Sequence, residues 1–129
     1  MARILLVEDK ADVAHVIGEA LLHAGHDVLP MGNAALAIEA IDQGQTFDLI
    51  ITDIIMPVKD GYDLIAFLEK SKIETPVIVM SGGGLTLSKE SAIMSLKSNV
   101  DGVLEKPMSQ EKMLTMVNQL TQGSTHHLL

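Results

Sequence analysis

An acidic pair, Glu8-Asp9, a lone acid, Asp53, a hydroxyl, Ser81, and an amine, Lys106, each stand within two residues of the end of a short apolar run. Two carboxylates held about 4 Å apart repel by about 4 kcal/mol at an effective dielectric near 20, so a fold that gathers three of them must supply a compensating cation. Mg²⁺ suits the donors, because it is a hard ion that takes carboxylate, carbonyl and water oxygens. It uses one or two carboxylates and completes its shell with water or phosphate oxygen, which points to a phosphoryl group as the reacting species. Mn²⁺ is the alternative ion, since the same oxygens serve both. Asp53 is the expected nucleophile, being the central acid at the end of the middle strand, and a carboxylate can form an aspartyl-phosphate. Asp9 is expected to ligate the metal directly, and Glu8 to act through water or as its neighbour. Ser81 is suited to donate to one phosphoryl oxygen and Lys106 to pair with another, neutralising charge as it develops.

Strands are what must carry these residues. Apolar runs at Ile4 to Val7, Leu49 to Ile51, Val77 to Met80 and Val103 to Leu104 mark strands covered on both faces, hence a parallel sheet; His26 to Leu29, closed by Pro30, is a weaker candidate. Helical spacing fills the intervals. It runs through Val13, Ile17, Ala20, Leu21 and Ala24, then Leu36, Ala37, Ala40 and Ile41 behind an Asn33 cap, then Leu64, Ile65 and Leu68. Two further helices are predicted around Ile93 to Leu96 and, behind a Ser109 cap, through Met113, Leu114 and Val117. Strict strand-helix alternation implies right-handed crossovers, an α/β fold with helices on both faces of an open sheet, and a ligand crevice outside the carboxyl ends of the strands. Those ends are where the five residues sit.

The composition sets the frame. Of 129 residues, 47% are hydrophobic and 20% charged, which gives one folded domain rather than a disordered chain. Nine basic residues against seventeen acidic leave a net charge of −8, a field that repels nucleic acid and anionic membranes. No cysteine is present, which removes disulfides and thiolate metal sites and suits a cytoplasmic setting. No apolar run is long enough for a membrane span. Residues 1–122 are expected to form the domain and 123–129 a flexible tail.

The constellation resembles the receiver domain of two-component response regulators. The resemblance rests on Val7-Glu8-Asp9, on Asp53-Ile54-Ile55-Met56-Pro57 followed by Asp60-Gly61, on Ser81 and on Lys106-Pro107, and it covers residues from about 2 to 120. It implies a flavodoxin-like, three-layer α/β/α fold with a five-stranded parallel sheet in the order 2-1-3-4-5. It further implies Mg²⁺-dependent transfer to Asp53 from a phosphohistidine on a sensor histidine kinase or a phosphotransfer protein, with the backbone carbonyl of Ile55 as an additional metal ligand. The output would be a downstream protein or an effector domain outside this chain, and the Lys106-Pro107 bond is often cis in such domains. In this family phosphoryl uptake and loss are self-catalysed steps of a switch rather than enzymatic turnover. Two positions depart from the usual pattern: Val103 replaces an aromatic three residues before the lysine, and Gly82-Gly83-Gly84 replaces the small residue after the serine.

Each piece alone has an ordinary explanation. Glu8-Asp9 could be a solvated helix-opening turn, Asp60-Gly61 a turn dipeptide and Lys106 a surface lysine; their joint arrival at successive strand ends is what carries weight. A receiver-like interaction module that is never phosphorylated is the competing reading. A hydrolase acting on small molecules would need a cap insertion, and no predicted loop is long enough. A flavin carrier would need a phosphate-cradling first loop and stacking aromatics, which make up only 2% of the chain. The triple glycine lacks the Lys-Ser/Thr of a P-loop. His15, His23 and His26 read as surface or half-buried residues.

Overall fold

The computed structural model describes residues 1–54, 61–81 and 100–126. Five parallel strands, β1 (Arg3–Val7), β2 (Asp27–Met31), β3 (Leu49–Asp53), β4 (Val77–Ser81) and β5 (Val100–Glu105), form one sheet in the order β2-β1-β3-β4-β5. Helices α1 (Ala11–His23), α2 (Ala34–Asp42), α3 (Gly61–Lys70) and α4 (Gln110–His126) cover it. The fold is thus the expected flavodoxin-like α/β/α arrangement. The helix expected around Ile93 to Leu96, the triple glycine and the segment from Ile55 to Asp60 lie outside the described residues.

Side chains alternate along each strand, so every strand feeds two cores. Leu5, Val7, Ile50, Val77 and Val79 pack with Ala34, Ala37, Leu64, Ile65 and Leu68 of α2 and α3. Ile4, Leu6, Leu49, Ile51, Ile78, Met80 and Leu104 pack on the other side with Ile17 and Leu21 of α1 and Met113 and Val117 of α4. This double burial is why the apolar residues of β1, β3 and β4 run unbroken in the sequence. Both expected caps are present: Asn33 Oδ1 accepts from the Leu36 amide at 2.9 Å, and Ser109 Oγ from the Lys112 amide at 3.2 Å. α4 continues to His126, beyond residue 122.

Three local expectations are corrected. Pro30 does not close β2; the strand runs through it to Met31. The Asp27 amide donates to the Ala2 carbonyl and the Glu8 amide to the Met31 carbonyl, so residues 27, 29 and 31 turn their peptide groups toward β1. Pro30 therefore faces the open edge, where a missing N–H is harmless. β5 starts at Val100 rather than Val103, because a register shift opposite Val77 and Ile78 carries the pairing from Val100 to Gly102 and interrupts the apolar pattern with exposed Asp101. His26, expected at the surface or half-buried, is buried: its Nδ1 accepts from the Ala2 amide at 3.2 Å, whereas His15 and His23 are exposed.

Candidate functional site

The alternation that builds the cores also aims the site. Glu8 continues the row Ile4-Leu6, Asp53 the row Leu49-Ile51, and Lys106 follows Leu104 by two residues, so all three extend rows that pack against α1 and α4. Val7 of β1 pairs with Thr52 of β3, which sets Glu8 beside Asp53. β4 separates β3 from β5, a gap of about 10 Å at normal strand spacing, so a long side chain is needed to cross it. Lys106 makes that crossing. Its own amide donates to the Ser81 carbonyl at 2.7 Å, holding its backbone to the end of β4, and its bond to Pro107 is cis as the resemblance implied.

Lys106 Nζ donates to Glu8 Oε1 at 2.5 Å and to Asp53 Oδ2 at 2.8 Å. The Ile54 amide donates to Asp53 Oδ1 at 3.0 Å, and the Lys10 amide to Glu8 Oε2 at 3.2 Å. Glu8 and Asp53 are 2% and 7% exposed, while Asp9 lies open to solvent. Carboxylate oxygens of Glu8, Asp9 and Asp53 come within 4.8 Å of one another. Ser81 is also buried, and its hydroxyl has no hydrogen-bond partner among the described residues. Ile55 lies outside them.

Burial pushes the Glu8 carboxyl above its ordinary range, more than the hydrogen bonds from Lys106 and the Lys10 amide pull it down. Burial works against the Lys106 ammonium as well, but its hydrogen bonds to Asp53 and Glu8 outweigh that and leave it above its ordinary range. The ammonium therefore stays charged. Three carboxylates and one ammonium leave two negative charges in excess, all on oxygen donors, which is a set able to chelate a divalent metal ion.

Residues 4–118 match the profile of the response regulator receiver domain. The chain belongs to that family. A receiver is a phosphoacceptor switch that takes up and loses its phosphoryl group by its own chemistry, not an enzyme turning over a separate substrate. Among relatives, the DNA-binding transcriptional regulator NtrC of Bradyrhizobium is 33% identical over 116 residues, which is 90% of this chain and 23% of that protein. The transcriptional regulatory protein CpxR of Escherichia coli K12 is 27% identical over 124 residues, 96% of this chain and 51% of that protein. This receiver thus spans about half or less of either relative. The receiver domain of the Francisella response regulator 1452 superposes with a TM-score of 0.83 at 31% identity, covering 96% of this chain and 99% of that one. A receiver domain protein from Clostridium thermocellum shares the fold with a TM-score of 0.83 at 23% identity over the full length of both chains.

Two residues of this receiver lie against the Asp53 backbone: Thr52, which sequence reasoning overlooked, and Gly61, which it named only as part of the Asp60-Gly61 motif and turn. Thr52 is fully buried and its Oγ1 donates to the Asp53 carbonyl at 2.9 Å. The signal available was a lone hydroxyl ending the apolar run Leu49-Ile50-Ile51. Gly61 reads as a turn residue, yet it opens α3 and is buried against β3, with its amide donating to the Ile54 carbonyl at 2.9 Å. Val103, where receivers usually carry an aromatic, is half-buried in β5 opposite Val79. Among the described residues no helix is long and apolar enough to cross a membrane.

Proposed function

We propose that Asp53 is the phosphoacceptor, with Lys106 and Ser81 as its partners and Glu8, Asp9, Asp53 and the Ile55 carbonyl as the metal ligands. The observation that carries this reading is the Lys106 ammonium bonded at once to Glu8 and Asp53, with Asp9 nearby and two negative charges left over. An Asp53 carboxylate oxygen attacks the phosphorus of a phosphohistidine; the O–P bond forms as the P–N bond breaks, and the imidazole nitrogen leaves with the electron pair. Lys106 turns from its carboxylates toward a phosphoryl oxygen, and the unpartnered Ser81 hydroxyl donates to another. Water attacking the same phosphorus later releases inorganic phosphate and restores the carboxylate. Bound Mg²⁺, or Mn²⁺ in its place, supplies positive charge against the crowded carboxylate and phosphoryl oxygens.

The donor is a sensor histidine kinase or a phosphotransfer protein, and the phosphoryl group biases an equilibrium between surface states read by a downstream protein or an output domain. Residues 1–122 make up the receiver unit, with α4 running past it to His126 into the stretch 123–129, and a cytoplasmic site agrees with the absence of cysteine. The net charge of −8 argues against direct contact of this chain with nucleic acid. Incubation with acetyl phosphate and Mg²⁺, followed by intact mass, should add one phosphoryl group to the wild type and none to Asp53→Asn. Uptake by Asp53→Asn defeats the assignment of Asp53 as acceptor, and no uptake by the wild type from acetyl phosphate, phosphoramidate or a phosphohistidine protein leaves an unphosphorylated interaction module.

A further inference from the structure

The geometry points to Thr52 and Gly61 as positioning residues that orient the Asp53 carboxylate by gripping the peptide unit behind it. The inference rests on Asp53 being the phosphoacceptor. That peptide unit joins Asp53 to Ile54, and its N–H holds the carboxylate directly, donating to Asp53 Oδ1 at 3.0 Å while also reaching the Met80 carbonyl at 3.1 Å. Its C=O end is held from two sides. Thr52 Oγ1 donates to it at 2.9 Å, from a side chain with no solvent exposure.

Gly61 closes the second side. A Cβ built on Gly61 would lie 2.6 Å from the Asp53 carbonyl oxygen and 2.9 Å from Ile54 Cα, both backbone atoms. Ordinary contact begins at 3.4 Å, so a methyl group at residue 61 forces the peptide unit back by about 0.8 Å. The Gly61 amide meanwhile ties α3 to the Ile54 carbonyl at 2.9 Å, so the helix cannot simply swing away. The missing side chain at residue 61 thus lets the first turn of α3 press on the back of the peptide whose front holds Oδ1. Turning that peptide turns the hydrogen bond, and the carboxylate follows.

Neither residue reaches the reacting atoms, so the test separates positioning from mere folding. Gly61→Ala, Thr52→Val and Thr52→Ser are compared with the wild type by far-UV circular dichroism, by the rate of phosphorylation with acetyl phosphate, and by the amide resonance of Ile54 without phosphodonor. A misplacement approaching 1 Å at a reacting group costs on the order of 100-fold, and we expect that loss of maximal rate in Gly61→Ala. Half-saturation by acetyl phosphate should hardly change, because Lys106 and Ser81 are untouched. Thr52→Val, which removes one neutral hydrogen bond, should slow the reaction about fivefold, and Thr52→Ser should restore it. The Ile54 amide proton should move upfield in Gly61→Ala and Thr52→Val as its bond to Oδ1 lengthens, and return in Thr52→Ser. An unmoved Ile54 resonance in a folded Gly61→Ala, or a rate within twofold of wild type, overturns the proposal. If Gly61→Ala does not fold, the Thr52 pair decides, and Thr52→Val matching wild type in rate and resonance is fatal. A wild type that takes up no phosphoryl group sinks the acceptor reading instead, while the Ile54 resonance still reports whether these residues orient Asp53.

Discussion

Lys106→Met keeps the length of the side chain and removes its charge, and its effect follows from the contacts of Nζ. In the wild type the ammonium lies 2.5 Å from Glu8 Oε1 and 2.8 Å from Asp53 Oδ2. Without it, carboxylate oxygens within 4.8 Å of one another repel by about 3.5 kcal/mol at an effective dielectric near 20. Two charge-assisted hydrogen bonds, each worth about 1.5–3 kcal/mol, also vanish. Removing one member of a buried ion pair costs about 3–5 kcal/mol, and the Lys106 side chain is 21% exposed, so the low end, about 3 kcal/mol, applies. Urea unfolding in a chelator near neutral pH should show a midpoint lowered by about 2 M at a slope of about 1.5 kcal/mol per M. Saturating Mg²⁺, at about 100 times its dissociation constant, should return about 2.7 kcal/mol. The pH dependence has a definite sign. Burial already holds Glu8 above its ordinary range, so the folded variant binds a proton more readily than the unfolded chain. Its deficit is fully present above that raised pKa and shrinks as the pH falls through it toward the ordinary carboxylate range. A variant as stable as wild type in chelator, or one whose deficit ignores both Mg²⁺ and pH, refutes the charge balance described here.

Two further outcomes test the scaffold. Burial, then the nearby N-terminal charge, holds His26 below its ordinary imidazole range despite the opposing influence of Asn118, and its Nδ1 is the acceptor for the Ala2 amide. The unfolded chain therefore takes the proton first: stability is complete above about pH 6.5 and falls as the pH drops below it, by about 1 kcal/mol for the lost hydrogen bond. His26→Gln should flatten that part of the urea-midpoint profile, and an unchanged slope relative to wild type counts against the assignment. Lys72 adopts φ 58° just after α3, a left-handed conformation that costs a residue with a Cβ about 1 kcal/mol. Lys72→Gly should accordingly raise the urea-derived stability by about 0.5–1 kcal/mol, and a loss of stability would contradict the strain.

Residue types and strand alternation determined much of this protein before any coordinates. Unbroken apolar runs require burial on both faces, helical spacing between them requires crossovers, and polar residues placed just past such runs must emerge at one edge of the sheet. The family resemblance added the strand order. Parity along the chain even carries the convergence of Glu8, Asp53 and Lys106, since each follows its row by two residues.

What one dimension leaves open is anything set by an approach between distant segments. Pro30 stops a strand or rides its edge according to which neighbour its peptide group faces, and only pairing with β1 decides that. His26 reads as a surface or half-buried histidine until the Ala2 amide arrives at its Nδ1. Gly61 looks like turn punctuation because the backbone it must not strike, the Asp53 carbonyl, is eight residues earlier and becomes its neighbour only when α3 packs on β3. Composition and spacing therefore determined which groups gather at the strand ends. The tertiary structure decided how each carboxylate is held, because hydrogen-bond partners and steric limits are properties of distance in space, which sequence separation does not encode.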